Sequence, residues 1–209
     1  MKTKKPSFSI RLIDSLSHFI FWFFAVVSAI FVLFTLVNIM GLVPSSVDVG
    51  VELPTNFTVY EQGTFTYSNT QTAVEIKEAS GVITFKSMPR FLSVGISVGV
   101  LPLMLALLYI LWLFKGFTRS VKLGEIFDIS NIKRFKLIAY SVTAVWVYLQ
   151  LVSTIYNLVV VPKFNFDGVE FGYSNGSFGE MLLFALFLWV LSHIFEKGAE
   201  IETDNQLTI

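Results

Sequence analysis

Four uncharged apolar runs constrain this chain more than any other feature: Phe19–Val43, Phe91–Phe114, Leu137–Val161 and Met181–Phe195, of 25, 24, 25 and 15 residues. A helix rises about 1.5 Å per residue, so crossing a hydrocarbon core of about 30 Å takes roughly 20 apolar residues. The first three runs reach that length unaided. The fourth is short and borrows Phe178–Glu180 at one end to become a span.

Composition removes the soluble alternative. The chain has 209 residues, 54% hydrophobic and 14% charged, with 22 phenylalanines, whereas a soluble domain carries about 25% charged residues. A soluble core of this size cannot hide so much apolar surface. Net charge is zero, so no global field favours nucleic acid, and with no cysteine there are no disulfides, thiolate metal sites or cysteine nucleophiles.

Lys2, Lys4, Lys5 and Arg11 precede the first run, as in a signal peptide. Cleavable signals have an apolar core of only about 7–15 residues, so an uncleaved anchor is expected. Orientation follows from lysine and arginine placement. Residues 1–18, 115–136 and 196–209 carry eleven basic and seven acidic side chains; the remaining segments carry four and eight. The positive side is expected to be cytoplasmic, with both ends of the sequence on it.

The expected organisation is a cytoplasmic segment 1–18, a first span 19–43, an extracytoplasmic β-rich loop 44–90, a second span 91–114 and a basic cytoplasmic loop 115–136. A third span 137–161, an extracytoplasmic hairpin loop 162–180, a fourth span 181–195 and a cytoplasmic tail 196–209 follow. In the first outer loop Val47, Val49, Val51 and Leu53 alternate with polar residues, the period of a half-buried strand. Hairpin-like connections are expected at Glu61-Gln62-Gly63 and at Glu78-Ala79-Ser80-Gly81. In the second outer loop Asp167-Gly168 sits between alternating segments, which predicts a hairpin over 164–171. The fold class expected is thus an α-helical integral membrane protein, a four-span bundle with a small extracytoplasmic β-rich cap formed by loops 44–90 and 162–180.

Span three carries a polar stripe: Thr143, Gln150 and Asn157 are seven apart, each about 20° from the last around the helix. An unpaired amide in lipid costs several kcal/mol, so this face should look into the bundle, with Ser28, Thr35 and Asn38 of span one as counterparts. Interhelical hydrogen bonding accounts for such a stripe; a substrate or ion path would also use it. Span two begins Ser93-Val94-Gly95-Ile96-Ser97-Val98-Gly99, a small-residue pattern that lets backbones approach closely. Gly95 and Gly99 could face another span or a second copy, making a homo-oligomer. Pro102 follows inside the same run.

The two histidines, His18 and His193, lie at the cytoplasmic ends of spans one and four, with Asp14, Glu196 and Glu200 at helical spacing. A histidine–carboxylate face is one that zinc accepts, so His18, His193 and Glu196 form a candidate metal set; polar residues at helix ends are the simpler account and need no site at all. Asp128 or Ser130 is placed to cap a helix running from Asn131 into span three.

Two cytoplasmic stretches are distinctive. Gly124-Glu125-Ile126-Phe127 with Asn131-Ile132-Lys133-Arg134-Phe135 is one, and Phe195-Glu196-Lys197-Gly198-Ala199-Glu200 followed by Asp204-Asn205-Gln206-Leu207-Thr208-Ile209 is the other. With four spans and a large first outer loop, these resemble a bacterial membrane family of unknown function, domain-of-unknown-function family 2975. The ending departs from the run the family resembles, Glu-Asn-Asp-Leu-Thr. The resemblance implies a multi-pass protein of the bacterial cytoplasmic membrane and a cytoplasmic partner, a small helix-turn-helix regulator, because such regulators are often encoded beside family members. It supplies no activity and no catalytic residues.

No phosphate-binding loop, metalloprotease helix or nucleophile elbow appears, so no catalytic or cofactor residues are assigned and an enzyme is not expected. The reading is a non-enzymatic membrane protein, a sensor or anchor, contacting its partner through Lys122, Glu125, Lys133, Arg134, Glu200 and Leu207, with no direct nucleic-acid binding. The alternative is a transporter or channel subunit with a polar path along span three.

Overall fold

A computed structural model describes residues 7–43, 52–58, 61–67, 70–76, 79–84, 88–164, 170–171 and 179–207. The elements run α1 (Phe8–Ile39), β1 (Glu52–Thr58), β2 (Glu61–Tyr67), β3 (Thr70–Ile76), β4 (Ala79–Thr84), α2 (Arg90–Leu123), α3 (Ile129–Val159), a short 3-10 turn (Val161–Lys163), β5 (Glu170–Phe171) and α4 (Gly179–Leu207). The chain divides into two compact units, one of Met1–Leu42, Val94–Tyr148 and Ser177–Ile209, the other of Val43–Ser93 and Leu149–Gly176.

All four long helices are long and apolar enough to cross a membrane, the fourth included. The helices outrun the apolar runs. Ser7 caps α1 by accepting the N–H of Ile10 at 3.4 Å, so that helix starts eleven residues before Phe19. It ends where Leu42 N–H reaches the Val37 carbonyl and Gly41 N–H reaches that of Asn38. Gly41 takes φ 75° there, and Gly124 takes φ 88° at the same kind of ending of α2; a left-handed residue closes such a cap, and glycine adopts it without a Cβ penalty.

What α1 buries identifies its solvent. Its buried side chains are Ser17, Ser28, Thr35 and Asn38, while Phe19, Trp22, Phe23, Ile30 and Leu33 are exposed. In water that arrangement would be inverted. In lipid it is the stable one, because exposed apolar chains are already solvated and helices associate through small and hydrogen-bonding residues. Asn38 Nδ2 donates to Ser97 Oγ of α2 at 3.1 Å, and Ser17 and Thr118 share a hydrogen bond of 2.9 Å. Helices α2, α3 and α4 meet instead around an apolar core of Leu113, Phe135, Ile138, Ala139, Val142, Ala185 and Leu188.

In the second unit the strands pair antiparallel, β4-β1-β5 in one sheet and β2-β3 in another. Four expectations from sequence need revision or fall outside the described residues. Glu61-Gln62-Gly63 is not a connection: it begins β2, whose Tyr67 pairs with Thr70 of β3. The physical reason is that Gly63 sits opposite Val74 inside the β2–β3 ladder, where no positive φ is called for. Ala79-Ser80-Gly81 likewise belongs to β4, which pairs with β1 rather than with β3. Pro54 fits in β1 because β5 pairs only at Phe57 and Thr58, leaving the proline on a stretch with one neighbour. Val47, Val49 and Val51, and residues 165–169 of the Asp-Gly hairpin, lie outside the described residues; Leu53 is in β1 and Phe171 is in β5.

Candidate functional site

The most elaborately built part of the first unit is the corner between α2 and α3 and its contact with α4. Gly124 ends α2, and Asp128, one of the two expected caps, starts α3 at Ile129, two residues before Asn131. The Ser130 N–H and hydroxyl donate to the two Asp128 carboxylate oxygens at 3.3 and 2.5 Å, while the Asp128 carbonyl accepts from the Asn131 N–H at 2.9 Å. These Ser130 hydrogen bonds, helped by the positive charge of Arg134, hold the Asp128 carboxyl below its ordinary value.

Between the two helix ends the chain is held by one amide. Asn131 is completely buried; its Nδ2 donates to the carbonyls of Glu125 and Ile126 at 2.7 and 3.2 Å. Its Oδ1 accepts from Arg134 at 2.6 Å, and the same guanidinium nitrogen donates to Ser120 Oγ at 2.8 Å. One side chain thus satisfies two loop carbonyls that would otherwise be left over at the end of α2 and the start of α3.

Aromatic rings then fasten the corner to α4. Phe135 stacks on Phe195 with centroids 5.1 Å apart, Phe117 meets Phe135 edge-on at 4.7 Å, and Phe127 lies 5.7 Å from Phe195. Phe127 also lies against Gly198, where a Cβ would come within 2.5 Å of the ring. Outside this cluster Lys136 and His193 both approach Glu196 Oε2, each at 3.2 Å.

A groove of about 950 Å³ opens beside this contact. Glu125, Asp128, Ile129 and Lys133 line it from the corner and α3, and Glu196, Glu200 and Asp204 line it from α4. The three α4 acids are four residues apart, so they form one stripe. Ile129 is 64% exposed there.

The residues singled out from sequence fare differently. Among the partner-contact candidates Glu125, Lys133 and Glu200 line the groove, while Lys122 is paired with Asp14 at 2.6 Å and Arg134 is engaged inside the corner. Leu207 is the last residue of α4. The candidate metal set is not assembled: no group of three or more histidine or acidic side chains able to hold a metal occurs among the described residues. His18 instead accepts the Trp22 indole N–H at 3.1 Å, Asp14 takes Lys122, and Glu196 takes Lys136.

Of the polar bundle residues, Asn38 makes the interhelical bond to Ser97. Thr143 and Asn157 donate to carbonyls of their own helix, those of Ala139 and Ser153, at 3.0 and 2.9 Å; Gln150 is half-buried. Farther along the bundle, α2 and α3 are also linked by Tyr148, a residue without a sequence signal, whose hydroxyl donates to the Gly99 carbonyl at 2.6 Å. A Cβ at Gly99 would meet that hydroxyl at 3.8 Å, whereas one at Gly95 meets nothing within 4 Å. Asn131 was also passed over as a functional residue. The signal was present: it is a polar position in register with Phe135 and Ala139, four and eight residues on, both of which are buried.

The chain matches no curated protein and no solved structure. A family model described as "Protein of unknown function (DUF2975)" matches residues 65–209, a stretch that includes α2, α3, α4 and every residue of the corner. On that match, which takes in both distinctive sequence stretches and the contact they make, the chain belongs to that family of proteins of unknown function.

Proposed function

We propose that this protein is a non-enzymatic component of a bacterial cytoplasmic membrane, a sensor or anchor that docks a cytoplasmic protein on the face where the α2–α3 corner meets α4. The observation that carries the reading is the groove itself. Helix α4 continues to Leu207, twelve residues past the end of its apolar run at Phe195, which extends it by about 18 Å. A groove walled by that extension stands clear of lipid and open to a soluble partner.

The assignment of this face to the cytoplasm rests on charge. The Asp14–Lys122 and Lys136–Glu196 pairs gather the start of α1, the end of α2, the start of α3 and the end of α4, which are the segments rich in lysine and arginine. The opposite ends lead into the strands, and we read the β1–β5 pairing as the beginning of an extracytoplasmic cap made by both outer loops. The partner suggested by the family resemblance is a small helix-turn-helix regulator. A transport path along α3 has less support, because Thr143, Thr154 and Asn157 spend their donors on their own helix.

The test is recovery of the partner from native membranes in mild detergent, comparing the full chain with one ending at Phe195. A soluble protein recovered with the first and lost with the second supports docking. Equal recovery with both, or flux through proteoliposomes abolished by Gln150→Leu, would overturn it.

A further inference from the structure

Beyond partner docking, the seam between α1 and α2 carries a cluster of basic side chains beside exposed aromatic rings. Thr118 and Ser17 meet at 2.9 Å on the floor of this seam. Arg119 and His18 each follow that contact by one residue. Two helices that cross antiparallel carry their next residues to the same flank of the seam, because each advances about 100° in its own right-handed sense. Both side chains are exposed there.

One turn before Arg119 on the same face, the Lys115 ammonium lies 4.6 Å from the Phe21 ring centroid and 5.6 Å from that of Trp22. Such contacts fix a cation without neutralising it. His18 Nε2 accepts the Trp22 indole N–H at 3.1 Å, which leaves Nδ1 as the ring nitrogen that can donate. The acid of this seam, Asp14, is held by Lys122 at 2.6 Å. Trp22 and Trp112 are more than half exposed and belong to the cation-proximal ends of the first two apolar runs; indole rings favour the membrane–water boundary.

We propose that Lys115, Arg119 and His18 bind the headgroup phosphate of an anionic phospholipid, with Trp22 and Trp112 against its glycerol and upper acyl chain. Basic pockets between spans on the cytoplasmic side suit such headgroups, and a guanidinium beside an ammonium supplies several charge-assisted donors to one phosphate.

The experiment is native mass spectrometry of the full chain, delipidated and titrated with phosphatidylglycerol or phosphatidylcholine of matched acyl chains. A preference for phosphatidylglycerol is expected, falling about twenty-five-fold in Lys115→Gln/Arg119→Gln, since each basic side chain near an anionic surface contributes roughly a factor of five. Lys133→Gln should keep the preference, and so should Lys115→Arg/Arg119→Lys, which separates a binding defect from misfolding. Calorimetry with inorganic phosphate distinguishes the source. Phosphate binding that is lost in the glutamine variant, with no lipid preference, assigns the site to a free anion. Equal binding of the two lipids with no phosphate binding, or a glutamine variant that binds like the unaltered chain, would overturn the site.

Discussion

The ring of Phe127 lies so close to Gly198 that a Cβ built on that glycine would stand 2.5 Å from its Cε1 atom. The two residues come from the two stretches that made the sequence distinctive, and the contact docks the C-terminal part of α4 on the α2–α3 corner. Two opposing terms decide what Gly198→Ala does. Alanine is the better helix former by about 1 kcal/mol, but forcing a methyl into a filled contact costs about 1–3 kcal/mol. Gly198→Ala should therefore lower thermal stability in detergent and expose residues 196–207 to protease. In a Phe127→Ala background, where the ring is gone, the same change should be neutral or stabilising. Additive effects of the two substitutions would show that the ring and the glycine are not coupled.

Asn131 should be among the least replaceable residues of the chain. Asn131→Ala leaves the Glu125 and Ile126 carbonyls and the Arg134 guanidinium short of a partner, at about 1–3 kcal/mol for each buried group so stranded. Asn131→Asp keeps an acceptor for Arg134 but donates nothing to the carbonyls, so it should also destabilise. A thermal midpoint for Asn131→Asp equal to that of the unaltered chain would mean that the two carbonyl bonds contribute little.

Much of this architecture could be read from residue order because lipid imposes a simple rule: an uncharged run long enough to span has one stable conformation, a helix. Hence the four helices, and hence the bundle-facing assignment of Asn38. The rule fails for finer matters. Thr143 and Asn157 share one face of α3, yet a helix offers a hydroxyl or amide its own carbonyl four residues back, and both take it. Among the described residues no metal set forms, and spacing along one helix could not decide that. Helical spacing places His193 beside Glu196, but only tertiary packing decides that Lys136 arrives there as well. The strand turns were misplaced because glycine marks a connection only where positive φ is needed, and Gly63 sits opposite Val74 inside a ladder.

Acid should weaken the corner through Asp128. Its carboxyl is held below the ordinary 3.8 by hydrogen bonds from Ser130, so the folded state favours the ionised form. The resulting stability is present above the unfolded-state value and is lost as pH falls through the folded one. Thermal unfolding at pH 7 and near pH 3 should thus show a smaller acid-induced loss for Asp128→Ala than for the unaltered chain, the variant already being less stable at pH 7 through loss of its helix cap. Identical acid sensitivity in the two would assign the acid response to other carboxylates.

The Asn38–Ser97 bond should report on how α1 is held. Asn38→Leu replaces a buried interhelical hydrogen bond with a side chain that lipid solvates equally well, so it should weaken α1–α2 association by about 0.6–2 kcal/mol. Gln150→Leu provides a contrast on α3, where the stripe contributes no interhelical bond through Thr143 or Asn157 and the loss should be smaller. The comparison is made by unfolding in mixed micelles. A larger loss at Gln150 than at Asn38 would place the main polar link on α3.

The pairing of β1 with β5 makes the most exacting structural prediction, because it joins segments more than a hundred residues apart and fixes their register. Phe57 pairs with Phe171 and Thr58 with Glu170, antiparallel. Directly opposed residues in such a pair have Cα atoms about 4.5–5.5 Å apart, inside the span a disulfide bridges. The chain has no cysteine of its own, so an introduced pair gives an unambiguous signal. Thr58→Cys with Glu170→Cys should close a disulfide under mild oxidation, seen as a mobility shift reversed by reductant. Phe57→Cys with Glu170→Cys, one residue out of register, puts the two side chains on opposite faces of the sheet and should close far more slowly. Equal rates for the two pairs would mean that β5 does not hold this register against β1, and the proposed cap would lose the contact that joins its two loops.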